Sequence, residues 1–144
     1  PIEIELVASG NRLADQWKSS EPVSYITPAG MTASPVYSRV SVIHSGQSVY
    51  VSSIYGDTSA SAREEVRSIF VQLRELLKLA GTNFNQLVKA TYYVADDASS
   101  KLLNDLRPDF YDPKRPPAAS KAIVKGVGKP GHSLTLDMIA VASD

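Results

Sequence analysis

The stretch Asp112-Pro113-Lys114-Arg115-Pro116-Pro117-Ala118-Ala119-Ser120-Lys121-Ala122-Ile123-Val124 decides how the rest of the chain is read. Each proline ring fixes φ and removes an N–H donor, so the cluster stops whatever precedes it. A short apolar strand begins at once, and two-residue alternation puts Ala119 and Lys121 on one of its faces. Working backwards, Leu102, Leu103, Leu106 and Phe110 form the buried side of a helix predicted over 97–110. Before it, 86–94 reads as a strand, with Val88, Ala90, Tyr92 and Val94 on one face. The clearest helix is 59–80, where Val66, Ile69, Phe70, Leu73, Leu76, Leu77 and Ala80 recur at three- and four-residue steps. Ser61 and Glu64 have capping-box spacing, and Gly81 suits the left-handed position after the last turn.

Working forwards, 125–132 carries three glycines and reads as a loop, and 134–141 closes the chain as a strand. Two further strands are expected at 37–43 and 48–54, joined by a tight hairpin turn at 44–47 in which Gly46 takes positive φ. The segment 19–34, rich in Ser, Pro, Thr and Gly, reads as a loop or linker. Residues 11–18 are expected as a short helix and 2–8 as a strand. The resulting fold class is α+β: a single mixed six-stranded sheet with two helices packed on one face and an extra N-terminal strand. Two helices leave the other sheet face bare, so other subunits are expected to cover it.

The 144 residues bound one domain of useful core size. Fifteen basic and fifteen acidic side chains cancel, and no Lys/Arg run stands out. No nucleic-acid partner is expected, since phosphate neutralisation needs a basic face. Cysteine is absent, which removes disulfides, thiolate nucleophiles and cysteine metal sites. Two isolated histidines, His44 and His132, do not make a metal site. No membrane-spanning run and no signal-peptide pattern is present, and the expected location is the cytoplasm.

The segments 2–8 and 134–140 match apolar for apolar, with Glu5 opposite Asp137. One reading is chance. The other makes 1–34 an N-terminal strand plus linker, the strand being the tail of a preceding similar domain, ahead of a domain at 35–144. A first residue of Pro rather than Met fits a piece of something longer.

From about residue 35 to 141 the chain resembles the Rid family, the reactive intermediate deaminases also known as YjgF. Gly46-Gln47-Ser48-Val49-Tyr50-Val51-Ser52-Ser53 is similar to the family's strand ending in Ser-Gly, and 60–81 to its long helix ending in Leu-Ala-Gly. Gln86-Leu87-Val88-Lys89-Ala90-Thr91-Tyr92-Tyr93-Val94 is similar to its Val-Lys-x-Thr-x-x-Val strand. Arg115-Pro116-Pro117-Ala118-Ala119-Ser120 is similar to its Arg-Pro-Pro-Ala-Arg-Ser signature, with 134–141 as the closing acidic strand. The resemblance implies a homotrimer with clefts between subunits. It also implies hydrolysis there of an imine or enamine derived from an amino acid, to a keto acid and ammonia, with no metal or cofactor.

The family's carboxylate-binding arginine falls on Ala119, and a methyl group cannot replace a guanidinium's two parallel charge-assisted hydrogen bonds. Tyr37 and Ser52 match cleft residues, Ser53 replaces a glycine, and Asp137 replaces the glutamate thought to hold the attacking water. Thus Asp137, Ser52 and Tyr37 are the candidate catalytic residues, with Ser53, Ala119 and Lys121 as candidate substrate contacts. Read without the family, Asp137 is either a solvent-face or backbone-bonded carboxylate or a cleft acid with burial-raised pKa. Lys121 is either an edge lysine in water or a point charge where the guanidinium is missing.

Three functions follow as expectations. One is a small-metabolite binder whose deaminase activity is lost or altered. Another is an active deaminase with shifted specificity, anchored by Lys121 or by a neighbouring subunit's arginine. The last is a structural or regulatory domain of a longer tandem protein. An older ribonuclease label attached to some relatives finds no support in the neutral charge.

Overall fold

The apolar stripe of 59–80 folds as α1 (Ala62–Leu79) and buries Val66, Ile69, Phe70, Leu73 and Leu77 completely. Ser61 caps it by accepting the Glu64 N–H at 3.1 Å. At the other end Gly81 takes φ +73°, and the next N–H, of Thr82, returns to the Leu77 carbonyl at 2.9 Å. This computed structural model describes residues 5–10 and 18–142.

The strands are β1 (Val23–Ile26), β2 (Val40–Ile43), β3 (Gln47–Ile54), β4 (Leu87–Val94), β5 (Ala118–Ile123) and β6 (Leu134–Ala142). They divide into a two-stranded sheet, β1-β2, and a four-stranded sheet in the order β3-β6-β4-β5. Only β4 and β5 run parallel among these pairs, and a parallel neighbour needs a crossover, which α2 (Asp97–Leu106) supplies. Asp96 caps α2 by accepting the Ser99 N–H at 2.7 Å. The helix gives way to a 3-10 turn at Arg107–Asp109, where Pro108 has no N–H to continue the ladder. It therefore stops short of the expected residue 110.

Both helices pack on one face of the larger sheet. Ala90, Tyr92 and Val94 of β4 and Leu136, Met138 and Ala140 of β6 point into that core. Phe110 stacks on Phe70 at 4.7 Å between centroids, closing the end beneath the proline cluster.

Three expectations about the front of the chain change. The sheet is not single: the six strands are divided two and four. The 44–47 turn is no hairpin, because β2 pairs with β1 and β3 pairs with β6. Gly46 still takes φ +92°, and a Cβ there would lie 2.5 Å from the Ala142 carbonyl oxygen. Finally, the segment read as linker contains β1. Its four residues are held by tertiary contacts that composition cannot show: Val23 is buried against Val88 and Val141. The Tyr25 hydroxyl donates to the Leu87 carbonyl at 2.8 Å, and Ser41 Oγ of β2 donates to that of Val88 at 2.6 Å. Part of the sheet face opposite the helices is thus covered by the chain's own β1-β2 pair. The expected strand at 2–8 and helix at 11–18 fall largely outside the described residues, and 5–10 join no strand. Among the described residues no helix is long and apolar enough to cross a membrane.

Candidate functional site

Strand register sorts the six candidate residues into two groups. Ala119 of β5 pairs with Ala90, which pairs with Met138, and this row faces the helices. The next row, Ser120–Thr91–Asp137, faces away from them. One chain therefore holds Ala119 and Asp137 on opposite faces of its sheet.

On the helix side a groove of ≈ 470 Å³ runs along the edge strand β5. Ala119, Ser120 and Lys121 line it, and Tyr37, Arg39 and Arg107 complete its charged and aromatic lining. Arg39 lies 5.1 Å from the Tyr37 ring centroid. Lys121 Nζ donates to Asn104 Oδ1 at 3.2 Å. Arg107 is 7 % exposed, stands 5.2 Å over the Tyr92 ring and donates to Asn104 Oδ1 at 2.6 Å. Its Nε is buried without a hydrogen-bond partner. Beneath it the Tyr92 and Tyr111 hydroxyls bond each other, and burial raises the pKa of both. Among the described residues the groove lining holds three cations and no carboxylate.

The opposite face carries Ser52, Ser53 and Asp137. A register shift between Val51 and Ile54 breaks the β3-β6 ladder, and at this bulge Ser53 adopts φ +55°. The turn aims the Ser53 N–H at Asp137 Oδ1, 3.0 Å away, and Ser52 Oγ donates to the same oxygen at 3.1 Å. Two donors on one oxygen fix the carboxylate's orientation. Tyr93 stands on this face as well. Its pKa is raised, first by burial and then by the charges of Asp137 and Glu5.

Residue patterns missed four contributors. Arg107 ends an apolar helix run, where a charge reads as surface. Lys89, Thr91 and Ser120 lie inside quoted motifs, yet nothing in one strand's spacing shows that Glu5 arrives over them. Lys89 Nζ stands 2.7 Å from Glu5 Oε2.

A second groove, of ≈ 330 Å³, lies between the N-terminal ends of the two helices. Its polar groups are engaged in holding the fold. Asp96 caps α2, and Glu65 accepts the Ser133 N–H at 2.8 Å and its hydroxyl at 2.6 Å. No group of His, Asp or Glu that could hold a metal ion occurs among the described residues.

Comparison with solved structures places the fold. A conserved Rid-family protein from Yersinia pestis, YyfB, superposes with a TM-score of 0.73 at 18% identity, covering 84% of this chain and 99% of that one. A YjgF-family member from Neisseria meningitidis gives 0.62 at 20%, covering 85% and 96%. RidA from an Antarctic Psychrobacter gives 0.61 at 18%, covering 84% and 98%. No curated protein matches the sequence. The family model described as Endoribonuclease L-PSP matches residues 28–142, most of the chain, and with Rid and YjgF proteins as its fold neighbours the protein belongs to this family.

Proposed function

We propose that the protein binds a small carboxylate-bearing metabolite in the groove over Ala119, and that imine deamination is lost or altered. The observation that carries this is the groove's charge: among the described residues Arg39, Arg107 and Lys121 line it without an acidic side chain. Arg107 is buried with no ion pair among the described residues. A buried unpaired cation is costly, and an anion in the groove relieves that cost. Lys121 and the arginines supply point charges where the family's guanidinium is missing at Ala119. The ligand is a small carboxylate or an amino-acid-derived imine, held where copies of the chain meet in a homotrimer.

The runner-up is an active deaminase, favoured by the doubly bonded Asp137 carboxylate. Water would add to the imine carbon while Asp137 accepts its proton. The proton passes to nitrogen, the added hydroxyl then gives up its own proton to nitrogen as the C–N bond breaks, and a keto acid and ammonia leave. Since Asp137 lies on the other face from the groove of its own chain, this reading needs a neighbouring copy to present it.

The test is titration with pyruvate at low salt, read at the Lys121 amide by NMR, alongside a coupled assay for keto acid released from an amino-acid-derived imine. In a half-exposed groove one cation near a carboxylate is worth about 1–2 kcal/mol, so Lys121→Met and Arg39→Met should each weaken binding roughly 5- to 30-fold. Unchanged affinity in both variants overturns the binding reading. Ala119→Arg should restore turnover if only the anchor is missing. Turnover by the wild-type chain matching that of an arginine-bearing relative replaces the first reading with the second.

A further inference from the structure

Glu5 reaches the sheet face that also carries Asp137, and it does not rest there on water. Its Oε2 lies 2.7 Å from Lys89 Nζ, accepts from Thr91 Oγ1 at 2.9 Å, and is also bonded by Ser120 Oγ. The three donors are arranged by the sheet itself. Lys89 and Thr91 are two apart on β4, and Ser120 is paired with Thr91 across the β4-β5 ladder. Lys89 is held in place independently of Glu5, with Nζ 3.1 Å from the Ala90 carbonyl, 3.0 Å from Thr91 Oγ1 and 2.9 Å from Ser120 Oγ. Its side chain is 12 % exposed. An ammonium held that far from solvent needs an anion, and the two hydroxyls complete a cradle for one carboxylate oxygen.

Glu5 is the more exposed half of this pair. Its side chain is 37 % exposed, and the residues beside it, Leu6 and Val7, are 83 % and 66 % exposed. The donors are built into the sheet, whereas the carboxylate is brought by a segment that among residues 5–10 joins no strand. A site whose donors sit on the sheet, filled by a carboxylate from a separate segment, is the arrangement of a tethered competitor.

We propose that Lys89, Thr91 and Ser120 form a second carboxylate-binding site, distinct from the Ala119 groove, and that Glu5 occupies it as a tethered pseudo-ligand which a small free carboxylate replaces. The site lies beside Asp137, the cross-strand partner of Thr91. A carboxylate anchored there lies on the same face as Asp137, whose own carboxylate Ser52 and Ser53 orient. The groove over Ala119 opens on the helix side of the sheet, and Ser120 is the cradle residue that also lines it.

The experiment titrates pyruvate into the native assembly and follows the Thr91 and Tyr93 amides by NMR. Glu5→Ala removes the competitor without touching the cradle. If Glu5 fills the site nine-tenths of the time, Thr91 should saturate at roughly tenfold lower pyruvate than in the wild type. Adding Lys89→Met should abolish the response, while Lys101→Met, an equal loss of charge on the surface, should not. Should Lys89→Met fail to fold, Thr91→Val with Ser120→Ala removes both hydroxyls, leaves the charge, and should weaken binding in the Glu5→Ala background. Equal saturation with and without Glu5 overturns the proposal. So does silence at Thr91 in every variant, or a response indifferent to Lys89 and to the hydroxyls. The Arg39 amide, on a groove residue that takes no part in the cradle, reports the groove in the same titration, so each site can fail without the other.

Discussion

Replacing Ser53 by glycine should stabilise the protein while leaving the Asp137 carboxylate held. Ser53 sits at φ +55°, where an L side chain costs about 1–2 kcal/mol. Glycine removes that cost but returns about 0.4–1 kcal/mol of freedom to the unfolded chain. The Ser53 hydroxyl makes only a 3.4 Å contact with Ser52 Oγ, so little else is lost. The net gain is about 0.5–1 kcal/mol, or about 1–4 °C in Tm for a domain of this size. The bond to Asp137 comes from the Ser53 backbone N–H and survives the change. Thermal unfolding of the wild type, Ser53→Gly and Ser53→Ala reads the effect. Alanine keeps the Cβ and therefore the strain, so it should gain nothing. A lower Tm for Ser53→Gly, or an equal gain for Ser53→Ala, refutes the assignment of strain to this bulge.

Two further outcomes follow from other parts of the fold. Glu65 is 3 % exposed and takes two hydrogen bonds from Ser133, each worth about 1.5–3 kcal/mol to a charged acceptor, so Glu65→Ala should cost at least ~3 kcal/mol in urea unfolding. A loss under ~1 kcal/mol would mean that Ser133 finds other partners. Burial alone would raise the Glu5 carboxyl, but hydrogen bonds from Lys89, Ser120 and Thr91 and the Lys89 charge outweigh it and hold it below its ordinary value of 4.5. A lowered pKa means attachment is complete above that value and is lost as pH falls through the lower, bound one. In the wild type the Thr91 amide should therefore show an acid transition below 4.5 that Glu5→Ala lacks. A transition of the same midpoint in both proteins overturns that assignment.

What the sequence discloses depends on how local the cause is. The helix at Ala62–Leu79 is legible because its stripe, cap and terminating glycine lie within 21 consecutive residues (Ser61 to Gly81). Likewise the β4-α2-β5 unit is legible because prolines stop the chain at a definite place. Residues Val23–Ile26 are not legible: a Ser- and Pro-rich setting hides a strand whose stability comes from Tyr25 and Val23 meeting β4 and β6, more than sixty residues away. Ala119 and Lys121 line one groove, together with Ser120 between them. Alternation cannot show that Arg107 is buried beside them, because a cation after an apolar run has the same sequence whether it faces water or Tyr92. Glu5 over Lys89 is the extreme case, a contact set by the tertiary path alone.

The parity of β5 carries the largest consequence for chemistry. Ala119 lies in the row that faces the helices and Asp137 in the row that faces away, so bringing the groove cations and Asp137 to one substrate calls for two chains. A reaction that uses both must draw them from two chains, and the exposed apolar side chains Tyr50 on β3 (72 %) and Ile123 at the end of β5 (60 %) are suited to contact between copies. If assembly sets Asp137 of one copy against the groove of the next, the runner-up deaminase becomes chemically complete without any new residue. If it does not, each face keeps its own function, the groove as an anion binder and the Lys89 cradle as a site guarded by Glu5. The two cases part in a mixed assembly of Lys121→Met and Asp137→Asn chains. A shared site regains activity in some of its clefts on mixing, whereas separate sites regain none.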